Sequence, residues 1–332
     1  MLWGAAAVVG ANAAAPSARP ADPGRPTARS LPQSSLAVND GGAWREWWRS
    51  DRAPDRWVGP EPAVAGAVRW TEAAPGLEWG ELQLAGTGEA WRLRLVLVRL
   101  DPRRQRLTLN AAVDARGRAG PWSVDDAPAE ARLALNAGQF VADGPWGWVV
   151  HESRERRAPG HGPLAPAVVV DSTGAVRIVP PDSIDAVRRA GGAREAFQSY
   201  PALLAGDGSV PTPLAAAGRG LDVGHRDSRL AVGTLRDGRV LIALTRFEGL
   251  GGALSSLPFG PTVPEMAALM GALGAQRAVL LDGGLSGQLL LREPGGGVRA
   301  WRGLRRVPLG LVAVPAGSAA FAAGAIPARR ER

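Results

Sequence analysis

Ala278-Val279-Leu280-Leu281-Asp282-Gly283-Gly284-Leu285-Ser286 is the stretch from which the rest of the chain is read. Four consecutive apolar residues read as a buried strand. The strand delivers a lone carboxylate, and two glycines follow at once, so the backbone can turn sharply and approach a ligand closely. A hydroxyl, Ser286, stands four residues after the acid. An unpaired carboxylate is costly to bury, so an acid at this place has one of two reasons: a tight turn that bonds nearby N–H groups, or chemistry.

Upstream of the strand, Thr262-Val263-Pro264-Glu265 opens a helix running to Gly274. Thr and Glu stand three apart as in a capping box, with Pro in the first turn. Met266, Leu269, Met270 and Leu273 form its apolar face. This helix feeds the strand that ends at Asp282. A second helix is expected over Ser183–Ala190, with Ser183 as N-cap and Gly191-Gly192 as the stop.

Most other segments read as strands. Leu93, Leu95 and Leu97, then Leu107 and Leu109, alternate as half-buried strands do, with Asp101-Pro102 as the turn between them. Arg132–Leu135 is a short strand that ends in Asn136-Ala137-Gly138-Gln139-Phe140. Hairpins are expected at Ala167–Val179, at Pro201–Gly208, and at Leu230–Leu244, whose Asp237-Gly238 is a strong hairpin turn. Strands continue through Leu289–Leu291 and Leu309–Val314. Many strands joined by tight turns, with few helices, define an α+β domain of mixed, mainly antiparallel sheet.

Regular structure is expected to begin near Leu77. Residues 1–15 are short, apolar and small, with Ala-x-Ala patterns, and read as a clipped secretory signal lacking its basic start. Residues 16–76 read as a Pro/Arg-rich linker followed by a Trp-rich extension, 77–314 as the domain, and 315–332 as a mobile tail. Trp44, Trp47 and Trp48 have helical spacing, which suits a short helix packed on the main domain; sugar stacking is the functional alternative.

The composition excludes several classes. There is no cysteine, hence no disulfide, thiolate metal site or cysteine nucleophile. Only His151, His161 and His225 occur, at no metal-ligand spacing. The net charge of +8 is carried entirely by arginine, dispersed among acids with no long one-sign block, so nucleic-acid binding is not expected. No stretch is long and apolar enough for a transmembrane span. Phosphate-loop, dinucleotide and Gly-x-Ser-x-Gly motifs are absent.

Four signals place polar groups where a strand or helix begins or ends: Asn136-Ala137-Gly138, Gln198-Ser199-Tyr200-Pro201, Arg229 before Leu230-Ala231-Val232-Gly233, and Asp282-Gly283-Gly284-x-Ser286. Their order and spacing, from about Leu77 to Val314, resemble the phosphodiester glycosidase family. Its members include an enzyme that removes N-acetylglucosamine from a phosphodiester and bacterial exopolysaccharide-associated proteins. This chain departs from the family pattern at Gln139, where an aromatic is usual, and at Leu285, where glycine is frequent.

The resemblance implies cleavage of a sugar-1-phosphodiester at the anomeric carbon–oxygen bond, through an oxocarbenium-like state. It implies Asp282 as the ring-side carboxylate, Arg229 as the phosphate contact, and Asn136 as a residue that binds the sugar or orients Asp282. Gly138, Gln198, Ser199, Thr262, Gly283, Gly284 and Ser286 are the implied substrate-binding positions, although Thr262 and Glu265 also suit simple capping. The second carboxylate is open among Asp143, Glu152, Asp222 and Asp227. His151 is a further acid–base candidate or a structural histidine. No metal ligands are assigned, and a divalent cation is left open. The partner is a carbohydrate or glycan-phosphate substrate, and the place of action is outside the cell or in its envelope. The competing reading is a catalytically silent module that binds an envelope glycan on the same fold.

Overall fold

A computed structural model describes residues 33–110, 121–142, 144–215, 222–248 and 256–318. The expected signal segment, most of the linker, most of the tail, and Asp143 lie outside the described residues.

A nine-stranded sheet is the backbone of the fold. Its order is Ala202–Leu204, Ala275–Leu281, Leu230–Leu235, Val240–Phe247, Leu93–Leu100, Leu77–Gly86, Ser35–Asp40 and Ala43–Arg49, with Thr71–Ala74 added on Leu77–Gly86. Two five-stranded sheets stand beside it. One runs Arg154–Arg157, Val149–His151, Ala193–Gln198, Ala167–Asp171, Val176–Val179; the other runs Val298–Trp301, Leu289–Arg292, Leu133–Asn136, Gly310–Pro315, Gln105–Asn110. The described ladders are antiparallel. With the short helices Pro62–Ala67, Ile184–Ala190, Thr212–Ala215 and Val263–Ala272, this is the expected α+β class.

The nine-stranded sheet is covered on both faces, and the strand Leu93–Leu100 shows why. Leu93, Leu95 and Leu97 enter the core beneath the helices, while Val96, Val98 and Leu100 enter the core shared with the five-stranded sheets. Period two still holds, but both faces bury apolar side chains, so the expected half-buried strand is buried on both faces apart from the partly exposed Arg94 and Arg99. The turn at Asp101-Pro102 carries the chain from one sheet to another instead of closing a hairpin.

Among the described residues regular structure starts at Ser35, well before Leu77. The segment with helical Trp spacing is the strand Ala43–Arg49, not a helix. Leu36 pairs with Trp48 and Ala37 with Glu46, so Trp47 is an extra residue in a β-bulge. The bulge shifts the parity of the strand, and apolar positions 44, 47 and 48 then imitate a helical stripe. Trp48 is 5% exposed and Trp44 48%. Pro201–Gly208 is not a hairpin either: Ala202–Leu204 pairs with Ala275–Leu281, and Gly206–Gly208 is a 3-10 turn. The hairpins at Ala167–Val179 and Leu230–Leu244 form as expected.

The helix Val263–Ala272 carries both halves of its capping box, Thr262 Oγ1 accepting from Glu265 N at 3.3 Å and Glu265 Oε2 from Thr262 N at 2.9 Å. Gly274, with φ 90°, then turns the chain directly into Ala275–Leu281. Ser183 stands at the N-cap of Ile184–Ala190 without a side-chain cap bond. The helix–strand pair therefore delivers Asp282 to one end of the large sheet.

Candidate active site

Adjacent antiparallel strands bring several chain segments to the same end of the sheet. Leu230 pairs with Leu281 and with Leu244, and Phe247 pairs with Leu93. Asp282 therefore leaves one strand where Asp227-Ser228-Arg229 enters the next. The strand Leu133–Asn136 ends at the same place. Asn136 Nδ2 donates to the Asp282 carbonyl at 2.7 Å, its Oδ1 accepts from Gln288 N at 2.9 Å, and Asp282 N donates to the Gly138 carbonyl at 2.9 Å. The carboxylate thus sits on a backbone fastened on both sides.

The two glycines are required by close approach. Gly284 N donates to the Ser228 carbonyl at 2.7 Å, and a Cβ on Gly283 would collide with that same carbonyl. Gly284 has φ 55°, and a Cβ there would stand 2.8 Å from Asp227 Oδ2. The turn after Asp282 is therefore pressed against the segment that carries Asp227. Of the four acids left open by the sequence, Asp227 is the one this closeness brings beside the Asp282 turn, and Asp143 lies outside the described residues. Glu152 lies instead beside Glu195, and Asp222 is exposed and accepts from His225 N.

Asp282 is held in an unusual state. Burial raises its pKa from 3.8 to about 6; the Ser286 hydroxyl and the positive charge of Arg305 pull it down, and the negative charge of Asp227 pushes it up. Its Oδ2 is buried and has no hydrogen-bond partner among the described residues. Tyr200 is close enough for the charge of Asp282 to raise its phenol pKa, after burial, and its ring meets Trp146 edge-on at 4.9 Å. Arg305 lies over Phe140 at 5.3 Å, on a loop whose Leu304 and Arg305 N–H groups both donate to the Leu285 carbonyl.

Arg229 stands on the Asp227 side. Its Nε donates to the Pro261 carbonyl at 3.2 Å and its Nη2 to the His225 carbonyl. Burial lowers its pKa, against the opposing charges of Asp227, Asp222 and Glu265. Arg226 makes two bonds to the buried Glu265, at 2.7 and 2.8 Å. Beneath both, Arg246 is buried on carbonyls of Gly287, Trp301 and Arg302, and desolvation lowers its pKa to about 10.

The implied binding positions fall into two groups. Asp282, Ser286, Gly283, Gly284 and Arg229 converge on one end of the sheet. Gln198 uses its whole amide on protein: Oε1 accepts from Trp148 N and Gly160 N, and Nε2 donates to Gly160 and Ala165 carbonyls. Ser199 donates to the Leu280 carbonyl, Thr262 caps its helix, and Gly138 contributes its carbonyl to Asp282. These residues, with Asn136, hold the frame of the site. His151 Nδ1 lies 2.9 Å from Glu195 Oε2, away from Asp282.

Tyr200, Trp146 and Arg305 are the neighbours that sequence reasoning missed. Tyr200 is the sole tyrosine and stands inside a quoted motif, a usable signal; Arg305 lies in an arginine-rich run with none. Among the described residues no three His, Asp or Glu side chains cluster as metal ligands do. Clefts of about 560 and 570 Å³, beside Trp70 and beside Pro163, do not contain Asp282.

Comparisons with known proteins bear on the fold and the family. The catalytic domain of zebrafish N-acetylglucosamine-1-phosphodiester alpha-N-acetylglucosaminidase, auto-inhibited by its pro-peptide, shares the fold. Its TM-score is 0.56 at 15% identity, over 79% of this chain and 93% of that one. A hypothetical protein from Synechocystis matches with a TM-score of 0.49 at 16% identity, over 85% of this chain and 68% of that one. No curated protein matches the chain by sequence. The phosphodiester glycosidase family model matches residues 129–314, which hold Asn136, Arg229, Asp282 and Ser286, and the chain belongs to that family.

Proposed function

We propose that this protein hydrolyses sugar-1-phosphodiester bonds in cell-surface or exopolysaccharide glycans, outside the cell or in its envelope. The observation that carries the reading is Asp282, a carboxyl with a pKa of about 6 and a buried oxygen without a hydrogen bond among the described residues, beside an arginine and a second carboxylate. A buried acid left unsatisfied costs stability, and such cost concentrates where a group must react. No helix among the described residues is long and apolar enough to cross a membrane.

In the proposed reaction the anomeric carbon–oxygen bond breaks and its electron pair leaves on the phosphate oxygen. A phosphate monoester is a good leaving group, so little acid assistance is needed. Arg305 holds the departing phosphate through its planar fork, and Arg229 adds its charge from the Asp227 side. Asp282, ionised above pH 6, faces the positive charge that develops on the ring. Water then adds to the anomeric carbon and gives its proton to Asp227. Asn136 acts through Asp282 by fixing its backbone. Tyr200 and Trp146 offer an apolar wall for the sugar.

The test is release of free sugar from a panel of sugar-1-phosphodiesters, α-N-acetylglucosamine included, by wild type and Asp282→Asn, each with and without chelator. Release by wild type alone supports the hydrolase, and chelator sensitivity reveals a cation requirement. Sugar binding without release by either protein would establish the silent glycan-binding module instead.

A further inference from the structure

We propose that Trp91, backed by Phe247 and Phe259, forms a second sugar subsite, so that the preferred substrate is a phosphodiester-linked oligomer rather than a single terminal sugar. The inference rests on the reading of Asp282 as the reacting centre and extends it along the same end of the sheet.

Three strands place the platform. Moving from the Asp282 strand through Leu230–Leu235 and Val240–Phe247 to Leu93–Leu100 crosses three ladder spacings, about 15 Å. Phe247 closes the third of these strands and pairs with Leu93 at the start of the fourth, two residues after Trp91. Trp91 is 51% exposed, a large apolar side chain facing water beside the buried Phe247. It is not loosely held. Its N–H donates to the Gly88 carbonyl at 3.1 Å, and its ring meets Phe247 edge-on at 6.1 Å. Phe247 in turn meets Phe259 at 5.2 Å.

This row is physically continuous with the carboxylates. Phe259 adjoins Gly260, where an added Cβ would collide with the Asp227 carbonyl. The turn that presents Trp91 packs on Arg226, whose Nε lies 3.1 Å from the place of a Gly88 Cβ. Arg226 is the partner of Glu265 in the helix beside Asp227. A glycan leaving the carboxylates along this edge meets a supported indole, and stacking of a sugar face on an aromatic ring is tolerant of sugar identity. The Arg92 guanidinium lies over the same ring at 5.3 Å; when a sugar takes that face the cation is displaced from the ring and is free to pair with a phosphate further along the chain.

Binding and turnover separate the two proposals. The probes are a glycosyl-1-phosphate methyl ester and a poly(glycosyl-1-phosphate) fraction of the same sugar. Binding is measured with Asp282→Asn alone and with Trp91→Ala or Trp91→Phe added; turnover is measured without the Asp282 change. Wild type and Asp282→Asn should prefer the oligomer. Trp91→Ala should lower affinity and kcat/KM for the oligomer about tenfold and leave the monomer within about twofold, with Trp91→Phe in between. Equal loss on both probes, no loss on the oligomer, or no preference of the parent protein for the oligomer would overturn the subsite. Length-dependent binding without turnover would keep the subsite and sink the hydrolase reading; turnover without length dependence would do the reverse.

Discussion

Asp282 and Glu195 are both acids packed among strands, and the protein treats them in opposite ways. Glu195, in the sheet that holds Val149–His151, has both oxygens in use: Thr108 Oγ1 donates at 2.9 Å, His151 Nδ1 lies at 2.9 Å, and the N–H groups of Leu109 and Glu152 approach at 3.4 Å. Asp282 receives the Ser286 hydroxyl, a positive field from Arg305 and a negative one from Asp227, and keeps one buried oxygen without a partner among the described residues. Gln198 and Glu265 follow the pattern of Glu195. The difference teaches that two acids buried among strands of one fold can be satisfied to very different degrees, and the proposed function turns on the less satisfied of the two.

Exchanging the two acids for their amides is the strongest way to break that comparison. Asp282→Asn should lower kcat/KM about a thousandfold, some 4 kcal/mol of transition-state stabilisation, while Glu195→Gln leaves it within a few-fold. Comparable losses in steady-state kinetics would erase the distinction. On stability the order reverses. Glu195→Ala strands Thr108 and His151 and should cost about 3 kcal/mol in denaturant unfolding.

Asn136 sharpens the contrast because it belongs to the frame yet touches the Asp282 backbone. Asn136→Ala should cost about 2 kcal/mol of stability and lower kcat about tenfold, with KM little changed. A rise in KM alone would instead make it a sugar contact. The smallest effect is expected at Arg305, which is exposed and makes few bonds. Arg305→Ala should raise KM about tenfold, roughly 1.4 kcal/mol, without a measurable change in unfolding midpoint.

The acid, its glycines and the capped helix before them were legible because each follows from local rules: an apolar run, a close backbone approach and a capping box. The hairpins at Ala167–Val179 and Leu230–Leu244 were legible for the same reason. The first strands were not, because the bulge at Trp47 gave a strand the spacing of a helix. Polar residues at strand ends were visible as a class, but sequence alone does not say which way each points. Gln198, Ser199 and Asn136 turn to backbone groups supplied by distant segments, at sequence separations of 33 to 152 residues. Asp227 and Arg305 join Asp282 only through strand order and loop packing, for which no short motif exists.

The central claim is that Asp282 is a carboxylate maintained at the expense of stability, and pH linkage tests it directly. Its native pKa of about 6 lies above the ordinary 3.8, so the fold favours the protonated acid. Its contribution is fully present below pH 3.8 and is lost as pH rises through 6. Unfolding free energies of wild type and Asp282→Asn should be compared from pH 4 to pH 8. The account predicts that the Asn protein gains up to about 3 kcal/mol on wild type between pH 4 and pH 8. A difference that does not change with pH, or an Asn protein that loses stability relative to wild type as pH rises, would contradict it.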